Sequence, residues 1–528
     1  MIRVQDLSLS IGDASILRNV SFDIAPGKVT ALVGESGSGK SMTAFTVMGL
    51  QPRAAQVTGR VMLGDDNLLD AREKDLNRIR GNRIGMIFQE PMTALNPVKT
   101  IGDQVTETLL IHGKASRAEA QRIAKEKLAR VGLPPDRFPL SRYPHELSGG
   151  QRQRVAIAMA IALSPELLIA DEPTTALDVT TQAQILDLLN ELVDESGMSL
   201  LLITHDLAVV AGMADHVAVM KEGEIVEADA TEPLFRGMQH DYTKRLFAAT
   251  SHQPDRSPLP RDEVILDLDK VVREYPGAKR GFFGRATPFR AVNEVSFKLH
   301  AGESLGLVGE SGCGKSTLTR AILGLDPVQG GTIDAFGKRI GPDFPNALRS
   351  GIQVVFQDPY ASFNPRWRVE RLVAEPFHLM TTPPADRRDR VAKVLEDVGL
   401  PADAMDRYIH EFSGGQRQRI AIARALITRP DLIVLDEAVS ALDVSIRAQI
   451  LDLIARLQAE HRLAYIFISH DLSVVRAVTD RVMVMKAGEI VEAGDTQAVF
   501  EAPKHPYTRQ LIAATPRIPD DWQEAKHA

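Results

Sequence analysis

Short continuous apolar runs alternate along the chain with stretches whose apolar residues recur three and four apart. VTALV (29–33) and SLGLV (304–308) are runs of strand length and predict buried strands. Each leads through a glycine-rich stretch into a periodic one. SMTAFTVMGL (41–50) and STLTRAILGL (316–325) read as helices. LLIAD (167–171), LIVLD (432–436), LLIT (201–204) and IFIS (466–469) predict further buried strands. In between, Ala120, Ile123, Ala124, Leu128 and Val131 fall on one helix face, with Gly132 as its stop. Val391, Val394, Leu395 and Val398, followed by Gly399, repeat that arrangement and predict a small helical insertion in each half. Strands alternating with helices imply a mostly parallel sheet.

The pattern occurs twice. Ser148 and Ser413, Asp171 and Asp436, and His205 and His470 are each 265 residues apart. Lys40 and Lys315 are 275 apart, so the halves differ in length upstream of Ser148. An internal duplication accounts for this. Pro254, Pro258 and Pro260 among polar residues mark a linker. We expect a first domain over 1–250, a linker over 251–263 and a second domain over 264–528.

The chemistry sits at the ends of the predicted strands. GESGSGKS (34–41) and GESGCGKS (309–316) fit the phosphate-loop pattern GxxxxGK[ST]. Glycines let the backbone wrap a polyphosphate, with amide hydrogens and a helix N-terminus facing the anion. Gly34, Gly37 and Gly39 supply the wrap, Lys40 the charge, and Ser41 a hydroxyl for Mg²⁺; Gly309, Gly312, Gly314, Lys315 and Ser316 repeat the set. The strands 167–171 and 432–436 each end in paired carboxylates. Asp171 and Asp436 suit a metal, and Glu172 and Glu437 the attacking water, because neighbours on a strand face opposite ways. His205 and His470 end later strands within reach of a γ phosphate. Gln89 and Gln357 follow apolar strands, and each offers a carbonyl oxygen to the metal or the water.

Composition narrows the class. With 62 Lys plus Arg against 69 Asp plus Glu, the chain carries −7, which argues against a general nucleic-acid binder. Its one cysteine, Cys313, allows no internal disulfide and no cysteine-built zinc or iron–sulfur cluster, as in a reducing cytosol. The longest clean apolar run, VAIAMAIAL (155–163), is far short of the ~20 residues of a bilayer span and predicts a buried helix. MIRVQDLSLS lacks the charged-then-apolar pattern of a signal peptide, so no span of its own is expected.

Together with LSGGQ (147–151) and FSGGQ (412–416), these residues resemble the ATP-binding cassette superfamily, twice over. The resemblance implies two tandem P-loop α/β cassettes, each with an N-terminal β-rich part and an inserted helical subdomain. It implies ATP and Mg²⁺ as cofactors and head-to-tail packing of the cassettes, each phosphate loop facing the other's signature. The implied ATP-binding residues are Gly34, Ser36, Gly37, Gly39, Lys40, Ser41, Met42, Gln89, Ser148, Gly150 and Gln151. In the second half they are Gly309, Ser311, Gly312, Gly314, Lys315, Ser316, Thr317, Gln357, Ser413, Gly415 and Gln416. Metal contacts fall to Ser41, Gln89, Asp171, Ser316, Gln357 and Asp436, and catalytic roles to Glu172, His205, Glu437 and His470. Asp178 and Asp443 match the D-loop aspartates.

FQEPMTALNP (88–97), FQDPYASFNP (356–365), YPHELSGGQRQR (143–154), SALDVSIRAQIL (440–451) and HPYTRQL (505–511), with its weaker copy HDYTKRL (240–246), are similar to the dipeptide, oligopeptide and nickel importer ATPases. Fusion of both ATPases resembles the Yej-type group, associated with microcin C-like peptides. This implies two separate transmembrane permeases, an extracytoplasmic substrate-binding protein, no nucleic acid, and a peripheral place on the cytoplasmic face of the inner membrane. Soluble tandem-cassette translation factors are the rival class, and fused sugar-, nickel- or glutathione-importer ATPases the nearer one. Tyr275 stands where cassettes place an adenine-stacking aromatic, whereas Ile11 stands there in the first half. Weaker nucleotide binding at the first loop is therefore expected. Ala438 for Pro173 and Phe412 for Leu147 remove no catalytic group, so two hydrolysing sites are expected.

Overall fold

The two apolar runs that precede the glycine loops lie inside two six-stranded sheets in the computed structural model. It describes residues 1–89, 94–175, 177–256, 263–277, 288–380, 382–440 and 442–523. Val29–Val33 is five residues long and buried throughout. It pairs in parallel with Ser199–Thr204 on one side and His216–Lys221 on the other. Leu167–Asp171 and Ile84–Ile87 continue the sheet in parallel, and Glu224–Ala230 closes the far edge antiparallel. The second sheet repeats the order with Ile352–Val355, Leu432–Asp436, Ala464–Ile468, Ser304–Val308, Arg481–Lys486 and Glu489–Asp495. Such continuous apolar strands suit a parallel sheet covered on both faces.

One cover is a second, antiparallel sheet. Ile2–Ile11 pairs with Ala14–Ile24 and Ala55–Leu63, and Val264–Tyr275 with Phe289–His300 and Gly330–Ala335. Val4, Leu7 and Leu9 pack with Leu32, Ile169, Leu201 and Ile203 in one apolar cluster. The helical insertion of the first lobe holds Ile101–Ile111 and Arg117–Arg130, capped by Thr100 and Ser116. Ala120, Ala124, Leu128 and Val131 are buried there, as the spacing predicts, while Ile123 of the same face is half-buried. Gly132 takes φ +81° at the stop and Gly399 φ +76° in the second lobe. The run 155–163 is buried except at Met159 and Leu163, which are half-buried, and its helix, Gly149–Ala160, ends before the run does.

The segment read as a linker packs for part of its length. Pro254 is buried. The His252 ring nitrogen lies 2.6 Å from Asp452, and Arg256 donates to Gln458 and Asp480, both at 3.1 Å. Residues 257–262, with two of the three prolines, lie outside the described residues, as do 90–93 of the string after Gln89. The tail runs the other way. Trp522 meets the Phe235 ring edge-on at 5.8 Å, and Asp521 accepts from Arg236, so the end of the second half rests on the first.

Candidate functional site

Each phosphate loop is held in shape from behind. Gly34 sits at φ +153°, and a Cβ there would lie 2.1 Å from the Met220 carbonyl oxygen. Gly309 repeats this at φ +152°, with Met485 O at 2.2 Å. No side chain fits so near another backbone, which is why glycine opens both loops. The turn beyond the neighbouring strand adds a bond: Gly223 N donates to Ser38 O at 2.9 Å, and Gly488 N to Cys313 O at 2.8 Å. The helices Lys40–Val47 and Lys315–Ile322 follow, so their first amides face the loop.

Lys40 and Lys315 are buried. Lys40 Nζ donates to Gly34 O and Glu35 O, both at 2.8 Å. Lys315 Nζ donates to Gly309 O at 2.6 Å and Glu310 O at 2.9 Å. Burial lowers the Lys40 pKa, opposed by the charges of Glu172, Asp443 and Asp171.

Ser41 Oγ donates to Asp171 Oδ1 at 3.1 Å, which joins loop and strand end. Burial pushes Asp171 up to about 6; the Ser41 bond opposes it and the Glu172 charge adds to it. Asp436 is also pushed up to about 6, by burial and then by Glu437. A buried carboxylate so disfavoured in its charged form is suited to a cation. Hydroxyl, carboxylate and amide oxygens are the hard donors Mg²⁺ takes, completed by water and substrate phosphate rather than by a protein cage. Among the described residues no three His, Cys, Asp or Glu side chains form such a cage.

Glu172 and Glu437 leave their strands differently from the expectation of simple alternation. Each adopts the left-handed region, at φ +46° and +52°. Each amide donates to the neighbouring strand, Ile203 O and Ile468 O, at 2.9 Å. The left-handed turn, not the pleat, sets the second carboxylate beside the first. Such a backbone is strained for a non-glycine residue and clusters at functional sites. The Glu172 carboxylate is 3.2 Å from His205 Nδ1 and accepts from Gln89 Nε2 at 3.0 Å and Thr175 Oγ1 at 2.9 Å. Burial raises its pKa, but the His205 bond and charge outweigh this and leave it at about 2. For His205 burial acts downward and Glu172 outweighs it, so the ring's pKa is raised. The two form an ion pair. His470 lies 3.4 Å from Glu437, and Glu437 is also lowered, burial being outweighed by His470. Both histidines lie just past their strands, which end at Thr204 and Ile468. Gln357 lines a groove with Phe356, Glu375, His378, Arg424 and Asp436.

The signature strings begin helices. Ser148 Oγ accepts from Gln151 N at 3.3 Å, while Gln151 Oε1 accepts from Ser148 N at 3.0 Å. Ser413 and Gln416 do the same at 3.4 and 3.0 Å. S-x-x-Q is thus a capping box, legible in the sequence as such. A Cβ on Gly150 would meet Thr181 Cγ2 at 2.3 Å, and one on Gly415 would meet Ile446 Cγ2 at 2.6 Å. Those neighbours follow Asp178 and Asp443. Asp178 caps its own helix through Thr181 N at 3.0 Å. Asp443 instead reaches the other lobe and accepts from Ser36 N at 2.8 Å. Tyr275 has the Arg273 guanidinium 4.5 Å from its ring centre, and its hydroxyl donates to Asp326 at 3.1 Å. Ile11 is half-buried against the first lobe's core.

Residues 17–175 and 292–440 match the ABC transporter family. The chain belongs to it. Residues 491–528 also match the C-terminal region of oligopeptide/dipeptide transporters. The glutathione import ATP-binding protein GsiA of Escherichia coli K12 is 47% identical over 95% of this chain and 86% of that protein. The peptidoglycan transport ATP-binding protein YejF of Agrobacterium fabrum is 47% identical over 97% and 96%. Among solved structures, archaeal ribosome recycling factor aABCE1, in complex with ribosomal stalk protein aP1, superposes with TM-score 0.60. It is 22% identical, covers 90% of this chain and 87% of its own, and so shares the fold. This ABC protein is a tandem-cassette ATPase that binds and hydrolyses ATP.

Proposed function

We propose that this ABC protein is the ATP-hydrolysing subunit of an importer of peptides, a class that includes glutathione-like and peptidoglycan-derived substrates. The observation that carries the reading is a complete hydrolytic constellation in both lobes, joined to an oligopeptide-transporter C-terminal region at 491–528. The names of GsiA and YejF support it. No helix among the described residues is long and apolar enough to cross a membrane, so the path for the peptide belongs to separate permeases. The groove beside Gln357 is where a permease helix would seat. An extracytoplasmic binding protein would select the substrate, and the chain would sit on the cytoplasmic face of the membrane.

In this reading residues 1–250 and 264–528 are the two cassettes. Lys40 and Lys315 bind the β and γ phosphates, with amides of 36–42 and 311–317 around them. Ser41, Asp171 and Gln89, and Ser316, Asp436 and Gln357, hold Mg²⁺, which neutralises phosphate charge when bound. Glu172 and Glu437 accept the proton of the attacking water, and His205 and His470 hold each glutamate until nucleotide arrives. Ser148, Gly150 and Gln151, with Ser413, Gly415 and Gln416, present capped helix N-termini to the nucleotide on the opposite lobe. Asp443 on Ser36 supports that head-to-tail pairing. Tyr275 stacks on adenine in the second cassette. ATP then joins the lobes, and its hydrolysis releases them.

Affinity purification of the tagged chain from membranes tests the assignment. Co-purifying permease subunits, with ATPase activity stimulated by peptide-loaded binding protein, are expected. Ribosomes in place of permeases would overturn it.

A further inference from the structure

The strings HDYTKRL (240–246) and HPYTRQL (505–511) stand far from the hydrolytic residues in sequence, yet each sends one side chain to a phosphate loop. Tyr242 Oη accepts the amide hydrogen of Glu35 at 3.0 Å, and Tyr507 Oη that of Glu310 at 3.0 Å. Both tyrosines are buried, at 4% and 3% exposure. Both rings lie under a lysine: Lys221 Nζ is 5.6 Å from one ring centre and Lys486 Nζ 4.7 Å from the other. Burial pushes the Tyr242 hydroxyl up to about 12 and raises that of Tyr507 as well, so both stay protonated.

The seat of each tyrosine is also duplicated. His240 Nδ1 accepts from Tyr242 N, and His505 Nδ1 from Tyr507 N, both at 3.2 Å, so the histidine starts the helix. The Glu227 carboxylate accepts the amides of Gln239 and His240 at 2.7 and 3.2 Å. The Glu492 carboxylate accepts those of Lys504 and His505 at 2.8 and 3.0 Å. Four side chains, Glu, Lys, His and Tyr, recur at the same 265-residue offset with the same geometry.

The bonded amide matters because of its other edge. Glu35 N–H and Gly34 C=O belong to one planar peptide unit. Tyr242 holds the N–H edge, and Lys40 Nζ holds the C=O edge at 2.8 Å. In the second lobe Tyr507 and Lys315 hold the two edges of the Gly309–Glu310 unit, the lysine at 2.6 Å. Hydrogen bonds in such a chain polarise one another, and a rigid plane transmits orientation from one edge to the other. We propose that Tyr242 and Tyr507 are positioning residues of the two ATP sites: each fixes the first peptide plane of its phosphate loop and, through it, the loop lysine. The C-terminal strings are thereby part of the nucleotide site. This holds whatever solute the importer carries.

Tyr242→Phe and Tyr507→Phe, made singly in the whole chain, keep ring and lysine and remove the hydroxyl. ATP affinity is read at the altered loop with the other loop silenced, by Lys315→Ala or Lys40→Ala respectively. Loss of one neutral hydrogen bond predicts about fivefold weaker binding. Amide hydrogen exchange by mass spectrometry should quicken in the peptide spanning the altered loop, with the matching peptide of the other lobe unchanged. Unaltered affinity in both variants would overturn the proposal. So would exchange that rises across the whole lobe without singling out the loop, the signature of a merely structural tyrosine. In the unsubstituted, nucleotide-free chain the Glu35 and Glu310 amides should be protected; free exchange there would also overturn it.

Discussion

Removing Arg256 should loosen the second lobe far more than its place in an irregular segment outside the sheets suggests. Asp480 and its first-lobe counterpart Asp215 do the same local job. Asp215 accepts Val29 N, and Asp480 accepts Ser304 N, each at 2.9 Å, at the entry to the strand before the phosphate loop. Their cations differ. Asp215 pairs with Lys28 at 2.7 Å, with 54% and 34% of the two side chains exposed. Asp480 pairs with Arg256 at 3.1 Å, with only 15% and 16% exposed. Breaking a buried pair costs ~3–5 kcal/mol because the remaining charge is left uncompensated. Allowing for the residual exposure, about 2–4 kcal/mol follows for Arg256→Ala. An exposed pair is worth ~0–1 kcal/mol, the expectation for Lys28→Ala. Urea unfolding followed by Trp367 emission, with Trp522→Phe in the background, reads the second lobe. At a slope of about 3 kcal/mol per M, the midpoint should fall by roughly 1 M for Arg256→Ala. The double variant with Asp480→Asn, which removes the charge but keeps an acceptor for Ser304 N, should recover part of the loss. Equal small shifts for Arg256→Ala and Lys28→Ala would refute the reasoning.

The hydrolytic sites make further predictions. Glu172→Gln and Glu437→Gln should each lower hydrolysis at their own site by about 10²–10⁴; in a steady-state phosphate-release assay, a substitution that leaves the total rate unchanged identifies a site that contributes nothing. Gly34→Ala and Gly309→Ala set a Cβ 2.1 and 2.2 Å from a carbonyl oxygen and should abolish nucleotide binding at their own loops. Gly113→Ala, at φ +60° with open space around it and away from either loop, should leave fluorescent-nucleotide titrations unchanged. Ile11→Tyr should tighten ATP binding at the first loop by about 1–3 kcal/mol if an aromatic stack is what that site lacks. Titration in the Lys40→Ala and Lys315→Ala backgrounds compares the two native loops; equal affinities would sink the proposed asymmetry.

Much of this molecule was legible from neighbouring residues alone. The strand Val29–Val33, the loop and the helix from Lys40 lie next to one another in the chain. Their pattern reflects local demands: apolar burial, a tight wrap, a free helix N-terminus. The cap of Ser148 by Gln151 is of the same kind. The pairing of carboxylates was visible too, but not its cause. Glu172 and Glu437 bond their amides to the adjacent strand and then turn at positive φ, a feature that alternation along one strand does not contain. The duplication likewise implied equivalent halves, and several contacts are not equivalent. Asp178 closes its own helix, while Asp443 crosses 407 residues of sequence to Ser36. Lys28 neutralises Asp215 from the adjacent strand entry, while Asp480 is served by Arg256, 224 residues away in sequence. The sequence by itself determined the repeated cassettes, their glycine loops and the inventory of acids, histidines and capped helices. Only tertiary structure decided which lobe's aspartate meets which loop, and that a C-terminal tyrosine stands behind each loop lysine. Periodicity is written within a few residues; such long-range hydrogen bonds exist only once packing has brought distant segments together.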